Sequence, residues 1–383
     1  MDAASTGSII GRRLAQRAIA VAEHGTVEPA ATSTIDLTHQ PSASPPAVVR
    51  QAAHAALDRG ETHYTARPGI PQLCAALAAR STEEGFPAEP GNVVVTNGGA
   101  EALYIALQSV VQPGSRVLLT GPASPNVATM VRFVGGVPEQ LTTAATTGFN
   151  PTAEAIAGQT ADVLVLASPS PISGVAIPPD ELAQIATTAI ERGMTVVLDR
   201  SLAWCCYDPE LARFPDPTLG SRLLTAGSFS HAYDMAGWRA GYFTAPAEHG
   251  DVMLELKQAM SICTSAITQY AALAAVEEAD DWLADRRETM LARRDAVIGR
   301  LEEAGLFVIV PDAWPYLLLD TRLIHPDDRQ AAAMLREQAG VAVEPASPYS
   351  PSLAGYTRMT LSIDGEVLEA GLDRLIGFHN SCL

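Results

Sequence analysis

The stretch Val93-Val94-Val95-Thr96-Asn97-Gly98-Gly99-Ala100-Glu101-Ala102-Leu103 constrains the fold more than any other. Three β-branched apolar residues read as a buried strand, the glycine pair as a tight turn, and the remainder as an apolar helix reaching Val111. Unpaired N–H groups at such a helix start face outward and favour an anion. The pattern recurs along the chain. Val117–Thr120, Val163–Leu166, Thr195–Asp199 and Leu223–Ala226 read as further strands, with helices over Pro46–Asp58 and Asp180–Arg192. Strands alternating with helices predict a right-handed, mostly parallel α/β sheet that takes its ligand at the carboxyl ends of its strands. One long helix is expected over Val252–Val276 and another over Trp282–Ala304. The tail reads as a smaller α+β domain, with strands near Leu306–Val310, Tyr316–Leu319, Val341–Glu344 and Thr357–Ser362. Its helices fall at Asp327–Gln338 and from about Glu366.

A chain of 383 residues has room for two cores. The expected division is an N-terminal arm over 1–33, with an amphipathic helix at Ile9–Glu23, a large domain over 34–280, and a small domain over 281–383. Residues 34–45 are expected to be able to pack with the small domain. A formal charge of −18 disfavours nucleic acid as a partner. No uninterrupted apolar run is long enough to span a bilayer, and Arg12, Arg13 and Arg17 interrupt any signal-peptide core, so a cytoplasmic protein is expected. Five cysteines without paired spacing read as reduced thiols, and no metal site is expected. Lys257 is the only lysine in the chain.

Ser228-Phe229-Ser230-His231-Ala232-Tyr233-Asp234-Met235-Ala236-Gly237-Trp238-Arg239-Ala240-Gly241-Tyr242 resembles the cofactor-anchoring segment of class I/II aminotransferases, the fold-type I enzymes of pyridoxal phosphate (PLP). That segment reads Ser-x-Ser-Lys followed by Gly-Trp-Arg-x-Gly-Tyr. The resemblance runs from about Ile35 to the last helix and implies a seven-stranded-type, mostly parallel sheet and a two-fold homodimer. It assigns the cofactor phosphate to Gly98, Gly99, Ala100, Ser228, Ser230 and Arg239, with Tyr64 reaching over from the neighbouring subunit. It assigns the ring nitrogen to Asp199 and the substrate carboxylate to Arg358. His39, in a segment that lacks the family's glycine, could reach the substrate.

Four positions depart from the family pattern. His231 stands where the family's Lys forms its Schiff base, and an imidazole has no primary amine with which to do so. Ser124 replaces the aromatic residue that stacks on the cofactor ring. Pro171 and Leu202 replace two groups that hold its phenolic oxygen, and Pro171 has no N–H to offer instead. Imidazole can still carry a proton near neutral pH, and sugar dehydratases related to the family use a His in this seat. Three readings follow. PLP or its amine form is bound without a covalent link; or no cofactor is bound and the anion sites hold substrate; or the chain is an inactive pseudo-aminotransferase that serves as a partner subunit or ligand-binding protein. The expected function is a non-transaminating enzyme of lyase or cyclase type. It would carry out elimination, dehydration or cyclisation on a small amino-acid-like or carboxylate substrate, with His231 as its catalytic residue.

Overall fold

The computed structural model describes residues 34–38 and 44–382. The N-terminal arm with its expected helix at Ile9–Glu23, and His39, lie outside the described residues. In chain order the strands and the helices of seven residues or more are β1 (Ile35–Asp36), α1 (Ala47–Asp58), α2 (Pro71–Glu83), β2 (Val93–Thr96), α3 (Gly99–Val110), β3 (Arg116–Leu119), α4 (Pro125–Phe133), β4 (Val137–Gln140), β5 (Val163–Ala167), α5 (Pro179–Glu191), β6 (Thr195–Asp199), β7 (Leu224–Ser228) and β8 (Gly241–Thr244). There follow α6 (Ala247–Ser261), α7 (Ala266–Glu278), α8 (Asp280–Glu303), β9 (Val308–Ile309), β10 (Tyr316–Asp320), α9 (Asp328–Met334), β11 (Val341–Ala342), β12 (Glu344–Pro345), β13 (Tyr356–Thr360) and α10 (Gly365–Cys382).

Seven strands form the central sheet in the order β2-β8-β7-β6-β5-β3-β4. All neighbours are parallel except β8, which runs against both β2 and β7. Alternating side chains serve opposite faces, as the two-residue period of a strand requires. Val117, Leu119, Val163 and Val165 join α3, α4 and α6 in one core; Leu118, Leu164 and Leu166 join α5 in another. Covered on both faces, the inner strands read as continuous apolar runs. Because β2 and β7 are both antiparallel to β8, their carboxyl ends lie at the same sheet edge. The register makes this specific: Gly241, the first residue of β8, pairs with Thr96 on one side and Ser228 on the other.

A four-stranded antiparallel sheet, β12-β13-β10-β9, carries the C-terminal part. β1 pairs in parallel with β11, so the entry segment joins this part of the chain.

Three expectations are corrected. The single helix over Val252–Val276 is two helices, broken where Ile262 takes a left-handed φ of 61°. Thr264 turns back there to donate from Oγ1 to the Val95 carbonyl, and no Gly or Pro in the sequence announces the turn. The expected strand over Val341–Glu344 is split between two sheets. The expected helix over Asp327–Gln338 widens after Met334 into a π-turn over Leu335–Ala339. Strands β4 and β8 and helices α2 and α4 are additions to the sequence reading.

Candidate functional site

The site is built along the carboxyl edge of the central sheet. At the end of β2, Gly98 adopts a φ of 88° and leads into α3. A side-chain carbon at Gly98 would lie 2.3 Å from an Arg239 guanidinium nitrogen, so the turn wraps closely around that group. Arg239 itself sits in the left-handed region at φ 56° and donates to the carbonyls of Asn97, at 3.2 Å, and Ala236, at 3.1 Å. Gly241 is required for the same reason as Gly98: a Cβ there would come within 2.3 Å of the Gly98 carbonyl carbon and 2.5 Å of the Gly99 nitrogen. Across Gly241, the Ser228 hydroxyl donates to that of Ser230 at 3.0 Å and accepts from the Ser230 N–H at 3.2 Å. Gly98, Gly99, Ser228, Ser230 and Arg239 are thus brought together, with Ala100 next in α3.

Beneath this cradle lies a buried ion pair that the sequence reading missed. Lys257 Nζ is fully buried and donates to Glu101 Oε2 at 2.7 Å, to Ser261 at 2.7 Å and to Thr264 at 3.3 Å. Glu101 in turn accepts from the Asn97 backbone N–H at 2.6 Å, and these bonds hold its carboxyl below the usual range against the opposing effect of burial. The sole lysine is therefore a structural counter-ion beneath the turn.

Asp199, at the end of β6, pairs in register with Ala167 and Ala226. Its Oδ1 accepts from the Ser201 N–H at 2.8 Å and from the Ser201 hydroxyl at 2.5 Å, while burial raises its pKa. It lines a cavity of about 40 Å³ with Ser124, Ala167 and Pro171. Ser124 contributes a small side chain to the wall where the family pattern calls for an aromatic ring.

Pro171 joins this cavity to a second cluster, because its carbonyl accepts from Arg358 NH1 at 3.4 Å. Arg358 lies 4.0 Å from the centre of the Tyr316 ring and 4.8 Å from that of Tyr349. His231 packs edge-on against Tyr316, with ring centres 6.2 Å apart. Its backbone carbonyl accepts from Trp314 Nε1 at 3.2 Å. Burial, helped by the nearby Arg358 charge, lowers the His231 pKa to about 4. The imidazole is therefore neutral at pH 7 and able to accept a proton.

One contact here was not foreseen from the sequence. Glu344 on β12 lies directly opposite Arg358 on β13 in the antiparallel register. Arg358 donates to Glu344 Oε2 from Nε, at 3.1 Å, and from NH2. Alternation along each strand is local, and only the pairing of β12 with β13 sets the two residues opposite each other. Tyr64 stands apart, 81% exposed on an open concavity shared with Cys263 and Ser265. Leu202 is buried in the core. No helix among the described residues is long and apolar enough to cross a membrane.

The family model for aminotransferase class I and II matches residues 35–375. The chain belongs to that family. It is 32% identical over 343 residues to an aspartate/prephenate aminotransferase of Thermus thermophilus, covering 88% of both chains. An aspartate aminotransferase of Streptomyces avermitilis is 29% identical, over 88% of this chain and 86% of the relative. Among solved structures, the aspartate aminotransferase from Thermus thermophilus with maleate superimposes with a TM-score of 0.84 at 31% identity, covering 90% of this chain and 91% of the other. The aminotransferase-family fold expected from the sequence is what the structure and these neighbours display. The expected function is corrected. Relatives named as aminotransferases support an enzyme and point to amino-group transfer, against a lyase, a cyclase or PLP-independent chemistry. The inactive-subunit alternative falls with them.

Proposed function

We propose that this aminotransferase-family chain transfers an amino group between a small primary amine and a carbonyl compound, using pyridoxal or pyridoxamine phosphate held without a covalent bond. The observation that carries the reading is the common sheet edge. The glycine cradle with Arg239, the half-buried Asp199 and the neutral His231 all stand along it.

The residues fit such a cofactor at two points and depart from it at His231, at Ser124 where no ring can stack, and at Pro171 and Leu202, which offer its phenolic oxygen no side-chain hydrogen bond. Backbone N–H groups at the start of α3, together with Arg239 and the Ser228 and Ser230 hydroxyls, suit a phosphate. The Asp199 carboxylate, half-buried at a cavity wall, suits a protonated ring nitrogen. His231 offers no primary amine for a covalent link. When bound, the cofactor supplies amine–carbonyl exchange and an electron sink. The chain's own work is then to hold the phosphate, to keep Asp199 against the ring nitrogen, and to carry a proton. His231, neutral at pH 7, takes that proton from the substrate carbon and returns it. Tyr64, exposed in the single chain, is assigned to the neighbour's phosphate in a two-fold dimer. Sedimentation of a monomer at micromolar concentration would remove it from the site.

The test is to mix the protein with pyridoxamine phosphate and a panel of aldehydes and ketones, following conversion of the cofactor by absorbance. Conversion is expected. His231→Ala should slow it by roughly 10²–10⁴-fold while leaving pyridoxamine phosphate affinity within a few-fold. No conversion with any acceptor, or an unchanged rate in His231→Ala, would refute the proposal.

A further inference from the structure

We infer that Glu344 closes Arg358 to a substrate carboxylate, so that the site takes amines and carbonyl compounds carrying no carboxylate at that end. This rests on the amino-transfer reading above and narrows its substrate class.

A guanidinium recognises a carboxylate through paired N–H groups on one edge. Here Nε and NH2, one such edge, both donate to Glu344 Oε2. NH1 donates to the Pro171 carbonyl. Tyr316 and Tyr349 pack against the guanidinium. The arrangement does not hang on one flexible side chain. Backbone register sets Glu344 opposite Arg358, and the Tyr349 hydroxyl donates to the other carboxylate oxygen, Oε1, at 2.5 Å. The side chains of Arg358 and Glu344 are only 11% and 19% exposed. An incoming carboxylate would have to expel Glu344 and leave it largely buried without its cation, an unfavourable exchange. The pair is neutral overall, and the His231 ring packs edge-on against Tyr316. An uncharged end of a substrate suits that wall better than an anionic one.

Binding of glutarate, measured by isothermal titration, separates the possibilities without needing cofactor or turnover. Glu344→Gln keeps the side-chain volume and should bind glutarate at least about tenfold more tightly than the unmodified protein, because it frees a charge-assisted pair of hydrogen bonds. Adding Arg358→Ala to that variant should abolish the gain. Tyr349→Phe, which loosens Glu344 without removing it, should fall between the two and covers the case in which Glu344→Gln does not fold. Equal glutarate affinity in the unmodified protein and Glu344→Gln would overturn the inference, whether both bind well or both bind poorly. So would a gain that survives the loss of Arg358. In the same absorbance assay run from pyridoxal phosphate, whose aldehyde accepts the amino group, n-butylamine should outperform L-norvaline, which adds only a carboxylate to the same skeleton; the reverse order would also overturn the inference. If neither amine reacts, the amino-transfer reading fails while the glutarate result still stands.

Discussion

Gly241→Ala is the sharpest probe of the cradle. The added Cβ would lie 2.3 Å from the Gly98 carbonyl carbon, 2.5 Å from the Gly99 nitrogen and 2.8 Å from the Gly98 oxygen. Ordinary contact begins at 3.4 Å, so the nearest atom is about 1.1 Å too close. Every obstructing atom is backbone, and none can rotate away. Either β8 shifts in the sheet or the Asn97–Gly99 turn retreats, and β8 is held on both sides by β2 and β7. The turn should therefore give. Overpacking of this kind costs about 1–3 kcal/mol, and a displaced turn points its N–H groups away from an anion. Urea unfolding and a pyridoxamine phosphate titration would read the two effects. Gly299→Ala is the control. Gly299 lies inside α8, and a Cβ there meets nothing within 4 Å, so helix propensity alone should stabilise the protein by roughly 0.5–1 kcal/mol. An unchanged unfolding midpoint and unchanged cofactor affinity in Gly241→Ala would refute the close packing on which the cradle depends.

Other outcomes follow from the same geometry. The folded-state pKa of His231 lies below its ordinary 6.5, near 4. The unfolded chain therefore binds a proton that the folded one refuses as pH falls from 6.5 to 4. Stability lost over that window should be smaller in His231→Gln, measured by unfolding at a series of pH values; an identical pH profile would show the imidazole to be solvated. Borohydride treatment with pyridoxal phosphate, followed by mass spectrometry, should leave no adduct on Lys257, whose amine is buried and hydrogen-bonded to three side chains; an adduct there would disprove this. Lys257→Met should cost about 3–5 kcal/mol by stranding Glu101, and the Lys257→Met, Glu101→Gln double variant should recover much of it in the same urea assay. A double variant less stable than the single would show that the pair is not what holds the turn.

The fold was legible because its signals are local. Val93–Thr96 and Thr195–Asp199 are apolar runs followed by a glycine turn or closed by an acid, and the structure ends the first strand at Thr96, just before the Asn97–Gly99 turn, and the second at Asp199. The break at Ile262 was not legible, since it is imposed by Thr264 bonding to a strand 169 positions away in sequence. The same limit applied at the site. Asp199 and Arg239 could be placed from their own neighbourhoods. Glu344 belongs to no motif and acquires its meaning only when β12 is laid against β13. Lys257 drew notice as the lone lysine, yet its partner in α3 could not be read from spacing.

Side-chain amines are the usual casualties of stray aldehydes and reducing sugars, which condense with any exposed lysine. This chain has one such amine and keeps it sealed under the Asn97–Gly99 turn. Accidental glycation, amine-directed cross-linking and capture on aldehyde-coated supports should all find no lysine side chain to react with. A protein that handles reactive carbonyl compounds in its site would thus be spared modification by them at its lysine. Any pyridoxyl mark that did appear could be traced without a background of lysine adducts.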